Sequence, residues 1–94
     1  ARHLRDHVVV VGLGSVGVRV VSELTAAGYD VLVIEADENN RYLPTLAELD
    51  VPVIFGDSTM RGTLESARLD RARGVAVVTQ DDMENIETGI VLLE

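Results

Sequence analysis

An α/β fold, with parallel strands alternating with helices, is the class this sequence predicts, and three observations carry the prediction. The segment VVVVGLGSVGVRVVSEL, Val8 to Leu24, runs an apolar strand straight into a glycine-spaced turn that opens a helix. A second β-branched run, Val31 to Ile34, ends in the acid Glu35, roughly 20 residues beyond the glycines. Strand-length runs then recur at Val53 to Phe55 and Val75 to Val78, each after a helical stretch, and crossovers of that length join parallel strands.

In the first turn Gly12, Gly14 and Gly17 form G-x-G-x-x-G, and each glycine has its own physical task. Gly12 lets the chain leave the strand tightly, Gly14 removes the Cβ that would block a pyrophosphate, and Gly17 lets the helix lie close to the sheet. N–H groups at the start of that helix point at an anion, helped by the positive end of the helix dipole. Glycines cluster in many turns, so the context decides. Strand VVVV precedes the motif, helical spacing follows at Val16, Val20, Leu24 and Ala27, and Gly28 is a natural C-terminal stop. Glu35 falls where such folds place an acid on the ribose hydroxyls.

The polar stretch Ala36 to Asn40 leads into a short helix within Arg41 to Leu49, carrying Leu43, Leu46, Ala47 and Leu49. Pro44 is tolerated only in a first turn, so this helix begins near Asn40 or later. Asp50, Val51 and Pro52 end it before the third strand. The turn Gly56-Asp57-Ser58-Thr59 precedes a helix from about Met60 to Arg68, with Leu64 and Ala67 inward; Gly62 weakens it by roughly 1 kcal/mol relative to Ala. After the fourth strand, Asp81 and Glu84 stand at capping-box spacing for a last helix bearing Met83, Ile86, Ile90 and Leu93.

These elements make a Rossmann-like doubly wound parallel sheet of strand order 3-2-1-4, ending before the remaining strands of such a sheet. A ligand then sits at the carboxyl ends of the strands, where Gly12 to Ser15, Glu35 to Asp37, Gly56 to Ser58 and Thr79 to Asp82 converge.

Composition narrows the function classes. With 94 residues and 47% hydrophobic content the chain is one small domain with a limited core. Cysteine is absent, which excludes a disulfide framework, thiolate chemistry and a Cys-based zinc site. No metal site is expected. The net charge of −8 works against nucleic-acid phosphates and anionic membrane surfaces. No apolar run approaches a membrane span, and the charged start ARHLRDH leads only into a strand-length run, so a soluble chain without a signal peptide is expected.

The residues resemble the N-terminal lobe of the domain that regulates potassium conductance (RCK), also called the Trk-type NAD-binding (TrkA-N) domain. The likeness runs through DHVVVVGLGSVG at Asp6 to Gly17, VIEAD at Val33 to Asp37, VIFGDST at Val53 to Thr59, L-x-x-A-x-L at Leu64 to Leu69 and VVTQDDMENI at Val77 to Ile86. It implies a single nucleotide-binding lobe over residues 1–94, incomplete at its C-terminus. It further implies a cytoplasmic sensor at the inner face of the membrane, paired with like domains as a homodimer or larger ring. A membrane-embedded potassium channel or transporter subunit would be its partner. Carried onto matching positions, Gly12, Gly14, Ser15 and Val16 contact phosphates, Glu35 the ribose nearest adenine, and Asp57 with Ser58 the adenine side. Thr79 and Asp81 line the strand 4 side near the second nucleoside, and Gly17 and Ala36 complete the candidate cofactor-binding set. Members that bind ATP commonly carry Arg after the second glycine, where this chain has Ser15. NAD or NADH is therefore favoured, with ATP or ADP as alternatives.

Each site residue also has a plainer reading. Glu35 could be a solvated strand-end acid, Asp57 could bond only its own turn, and Asp81 is accounted for by helix capping. As a ribose ligand Glu35 would repel a 2′-phosphate, favouring NAD over NADP, with Arg41 near in sequence. A dehydrogenase needs a proton donor or acceptor beside the nicotinamide. This chain has no Lys, no Cys and no Tyr-x-x-x-Lys pair, its Tyr29 and Tyr42 flank strand 2 and its helix, and His3 and His7 precede or open strand 1. A non-enzymatic, nucleotide-sensing regulatory domain is the reading. The alternatives are a fragment of an NAD-dependent oxidoreductase whose catalytic part follows Glu94, and a nucleotide-independent scaffold. Strand 4 at a sheet edge, beside an apolar last helix, would make the isolated chain self-associate.

Overall fold

The computed structural model describes residues 5–78 and 88–92. Strand β1 (Val8–Val11) is followed by α1 (Ser15–Ala26), β2 (Val31–Glu35), α2 (Leu43–Glu48), β3 (Val53–Phe55), α3 (Arg61–Ser66), a 3-10 turn (Leu69–Arg71), β4 (Gly74–Val78) and β5 (Thr88–Leu92). The sheet order is β3-β2-β1-β4-β5. Strands β1 to β4 are all parallel, with Val8 opposite Val31 on one side and Gly74 on the other. The parallel sheet of order 3-2-1-4 expected from the sequence is therefore present.

Alternate side chains of the strands feed two separate cores. Val8, Val10, Val31, Val33, Ala76 and Val78 face α1 and α2, where Val21 and Leu46 are fully buried. Val9, Leu32 and Ile34 face the other side, against Ala67, Ala72 and Leu64 of the α3 region. An interior parallel strand is covered on both faces, which is why β1 and β2 are continuous apolar runs. Helix α1 ends as expected at Gly28, whose φ is +96°. Gly28 N–H donates to the Thr25 carbonyl and Tyr29 N–H to the Leu24 carbonyl, the paired bonds of a Schellman stop. Ala27, counted in the helical spacing, is the exposed C-cap, and Val21 is a fully buried valine of the helix. In α2, Ala47 is likewise exposed while Leu46 is buried.

The sequence reading of the C-terminal part is corrected. Residues 88–92 form a strand, antiparallel to β4, with Ala76 opposite Ile90 and Val78 opposite Thr88. Ile90 therefore lies in a sheet, not on a helix. The run Thr-Gly-Ile-Val-Leu is rich in β-branched residues, and so short an apolar run fits either period. Strand β4 is consequently interior, so the edge on which self-association was argued is occupied by β5. Thr79, Asp81, Met83, Glu84, Ile86 and Leu93 lie outside the described residues, as does His3.

At the amino end of the sheet, His7 is fully buried. Its Nε2 lies 2.8 Å from the Ala67 carbonyl, and since a carbonyl only accepts, that nitrogen carries the hydrogen. Asp6 N–H donates to the Arg71 carbonyl and Arg73 N–H to the His7 carbonyl, each at 2.8 Å. The segment between α3 and β4 is thus fastened to the start of β1, far from the strand ends where a ligand would bind.

The two ends of α1 offer a test. Gly12 (φ +100°) and Gly28 (φ +96°) both occupy backbone that L side chains disfavour, but a Cβ on Gly12 would strike the Val78 carbonyl, whereas one on Gly28 meets open space. Gly12→Ala is expected to cost about 2 kcal/mol more than Gly28→Ala. Urea unfolding of both variants measures this; equal losses would mean that the φ angle alone sets the cost.

Candidate functional site

The carboxyl ends of β1 to β4 open into a cleft of about 290 Å³. Val11 and Gly12 line it from β1, Ile34, Glu35 and Ala36 from β2, Gly56, Asp57 and Ser58 from the turn after β3, and Val77 and Val78 from β4. Five of the sequence-derived candidates, Gly12, Glu35, Ala36, Asp57 and Ser58, therefore meet in one place. A second, more polar cleft of about 450 Å³ adjoins the glycine turn, lined by Leu13, Gly14 and Ser15 on one side and by Asp37, Asn39, Asn40, Arg41 and Tyr42 on the other. Gly14 and Ser15 belong to this second cleft. Val16 is half-buried and packs on the core. Gly17 is buried, and a Cβ there would lie 2.6 Å from the Gly12 carbonyl, so its place is packing between helix and turn.

The glycine turn has a particular local chemistry. Leu13 is completely buried and anchors the turn in the core. Gly14 is the N-cap of α1 with φ −121° and ψ −159°, an extended conformation open to any residue. Glycine is thus not demanded there by backbone angle. Among the described residues no side chain caps the start of α1, and its first turn carries no acid, so neither of these neutralises the positive end of the helix.

Glu35 is only 4% exposed although it borders the cleft. Its Oε2 accepts the Asp37 N–H at 3.0 Å. Asp57 is exposed, and its Oδ1 accepts both the Thr59 N–H at 2.8 Å and the Thr59 hydroxyl at 2.7 Å. These two bonds, the backbone one first, hold its carboxyl below the usual aspartate range. The plainer reading of Asp57, a turn-forming residue, is therefore part of its role.

Sequence reasoning passed over Asn40. Its Nδ2 donates to the Leu13 carbonyl at 2.7 Å, across 27 positions of chain, and its Oδ1 accepts the Tyr42 N–H at 2.8 Å. The only sequence signal was a polar stretch after β2. Tyr42 lines the polar cleft with its ring 5.1 Å from the Arg41 guanidinium, while Tyr29 is at the opposite end of the sheet, stacked at 4.9 Å by Arg73. Among the described residues no cluster of His, Cys, Asp or Glu could hold a metal ion, and no helix is long and apolar enough to cross a membrane.

Comparison with known proteins agrees with this geometry. The "Trk system potassium uptake protein TrkA homolog" of Methanothermobacter thermautotrophicus is 34% identical over 88 residues, 94% of this chain and 40% of the relative. "Potassium channel protein 1" of Methanocaldococcus jannaschii is 28% identical, across 90% of this chain and 26% of its own length. The "Voltage-gated potassium channel Kch" of Escherichia coli is 27% identical, across 88% and 20%. The chain thus spans 40% or less of the length of these relatives. A crystal structure of the TrkA-N domain of the inner membrane protein ybaL from Escherichia coli superposes with a TM-score of 0.70 at 24% identity, covering 79% of this chain and 53% of that one, and so shares its fold. Residues 8–94, which take in the glycine turn, the acid after β2 and the Gly-Asp-Ser turn alike, match the TrkA-N domain, and the chain belongs to that family.

Proposed function

We propose that this chain is a nucleotide-sensing regulatory domain that binds NAD or NADH and thereby controls potassium flux through a membrane-embedded channel or transporter subunit. ATP and ADP are the alternative ligands. The observation that carries the reading is Gly14, a glycine whose backbone angles any residue could adopt, at the uncapped start of a 12-residue helix. On this reading its missing Cβ leaves room for a phosphate to approach the helix start. Glu35, buried at the end of β2 on the same cleft as Gly12, is suited to accept from ribose hydroxyls. Asp57 and Ser58 border that cleft from the β3 side, and Thr79 and Asp81 are assigned to the β4 side by family likeness.

The domain acts by binding rather than catalysis. The chain has neither Lys nor Cys, and His7 is buried against the Ala67 carbonyl at the far end of the sheet. The names of the relatives supply the transport context: a potassium uptake protein and two potassium channels. The domain works on the cytoplasmic side of the membrane, paired with like domains in a dimer or ring.

Calorimetric titration tests the ligand. NAD or NADH should bind at least about ten-fold more tightly than NADP, because a 2′-phosphate would face the Glu35 carboxylate. The preference should vanish in Glu35→Gln, which keeps the side chain's shape, and vanish or reverse in Glu35→Arg. Equal affinity of the unmodified protein for NADP would remove Glu35 from the ribose.

Gly14→Val separates ligand space from folding. Its backbone angles suit valine, so circular dichroism and the unfolding midpoint should change little while NADH binding is lost. Retained affinity would move the site elsewhere, and an unfolded variant would make the glycine structural.

A further inference from the structure

The loop between β2 and α2 is built from successive side-chain to backbone bonds that run from the candidate ribose acid to the candidate phosphate turn. Glu35 Oε2 accepts the N–H of Asp37 at 3.0 Å, Asp37 Oδ1 accepts the N–H of Asn39 at 2.8 Å, and Asn40 Oδ1 accepts the N–H of Tyr42 at 2.8 Å. Each bond spans two residues, the span of an Asx-type turn. The series ends when Asn40 Nδ2 donates to the Leu13 carbonyl at 2.7 Å. Only one orientation of the Asn40 amide serves both of its partners, since the Tyr42 N–H must donate and the Leu13 carbonyl must accept. The backbone holds Asn40 as well: its N–H donates to the Asp37 carbonyl and its carbonyl accepts the Leu43 N–H, each at 3.2 Å.

We propose that Asn40 is a positioning residue for the nucleotide site, fixing the Leu13–Gly14 peptide so that the start of α1 is presented to the ligand's phosphates; this rests on the nucleotide reading given above. The Leu13 carbonyl precedes the helix ladder, whose first acceptor here is Gly14, bonded by Val18 N–H at 2.9 Å. It borders the polar cleft beside Gly14 and Ser15. A carbonyl oxygen turned toward a phosphate would repel it, and rotation of that peptide would swing the Gly14 N–H with it. The Asn40 amide holds the peptide plane and satisfies the oxygen at once. It also couples the spacing of Glu35 to that of the glycine turn, because both are held by one loop.

Asn40→Ser isolates this bond. A serine hydroxyl can still accept the Tyr42 N–H in the same kind of turn but is too short to reach Leu13, and it adds no charge near the phosphates. NADH affinity, read by fluorescence titration, should fall by roughly ten-fold, and amide exchange at residues 13–15 should quicken without ligand, while the thermal midpoint stays within a few degrees. Asn40→Ala, which loses both bonds, should be less stable than Asn40→Ser. Unchanged NADH affinity or unchanged exchange at 13–15 in Asn40→Ser would overturn the positioning role alone. Failure of the unmodified protein to bind NADH would overturn the nucleotide reading and this role with it.

Discussion

Backbone meeting backbone, with no side chain between, sets the geometry at the carboxyl end of the sheet. Gly12 lies against the Val78 carbonyl of β4, and Gly17 lies against the Gly12 carbonyl, so strand, turn and helix are stacked at distances that a single Cβ would forbid. The contact does two things. It brings the end of β4 under the turn, which lets Val77 and Val78 share a cleft with Glu35 and Asp57. It also holds the first turn of α1 over the sheet, leaving its N–H groups above the strand ends. Leu13 completes the arrangement from below, since burying a leucine side chain stabilises by about 2 kcal/mol and this one is entirely covered.

The three glycines of the motif therefore serve different physics. Gly12 answers to both a positive φ and a close neighbour, Gly17 to a close neighbour alone, and Gly14, in extended backbone, to no positive φ. Structural necessity accounts for the first and third members of the motif in any protein with this packing, whatever it binds. The middle glycine is the one to which the proposed nucleotide reading gives a ligand role. The acids differ in burial rather than in local bonding: Glu35, Asp37 and Asp57 each bond an N–H two residues ahead, but only Glu35 is drawn into a buried position on the cleft wall.

Much of this was legible in the sequence where local pattern and tertiary role coincide. β1 and β2 stand out because an interior parallel strand must be apolar on both faces, and their helices because Gly28 and Pro44 mark an end and a beginning. The strand order 3-2-1-4 is the one that the glycine motif's fold carries, and right-handed crossovers are compatible with it without singling it out. The segment at 88–92 was misread because Ile90 fits a helical spacing with Met83 and Ile86 as well as it fits a strand, and the pairing with Ala76 that decides the matter is not local. Asn40 and His7 were illegible for a related reason. Each makes its decisive bond to a backbone carbonyl 27 or 60 positions away, and a carbonyl carries no residue identity for a sequence to display.

Charge gives the site its remaining character. The chain carries a net charge of −8, a poor setting for an anionic ligand unless the approach is local and specific. On the nucleotide reading the glycine turn would supply such a setting without cationic side chains in its first turn: a helix start uncapped by any described side chain, no acid in the first turn, and Ser15 rather than a long cation after the second glycine. Recognition by backbone dipoles depends on the orientation of a few peptide planes rather than on the reach of a flexible side chain. A site of this kind would be sensitive to whatever fixes those planes, which here are packed by the stacked glycines on the sheet side and bonded by Asn40 on the other. The loop that holds Glu35 is tied to the turn it faces by the Asn40–Leu13 bond, and on the proposed positioning role a shift at either end would be felt at the other.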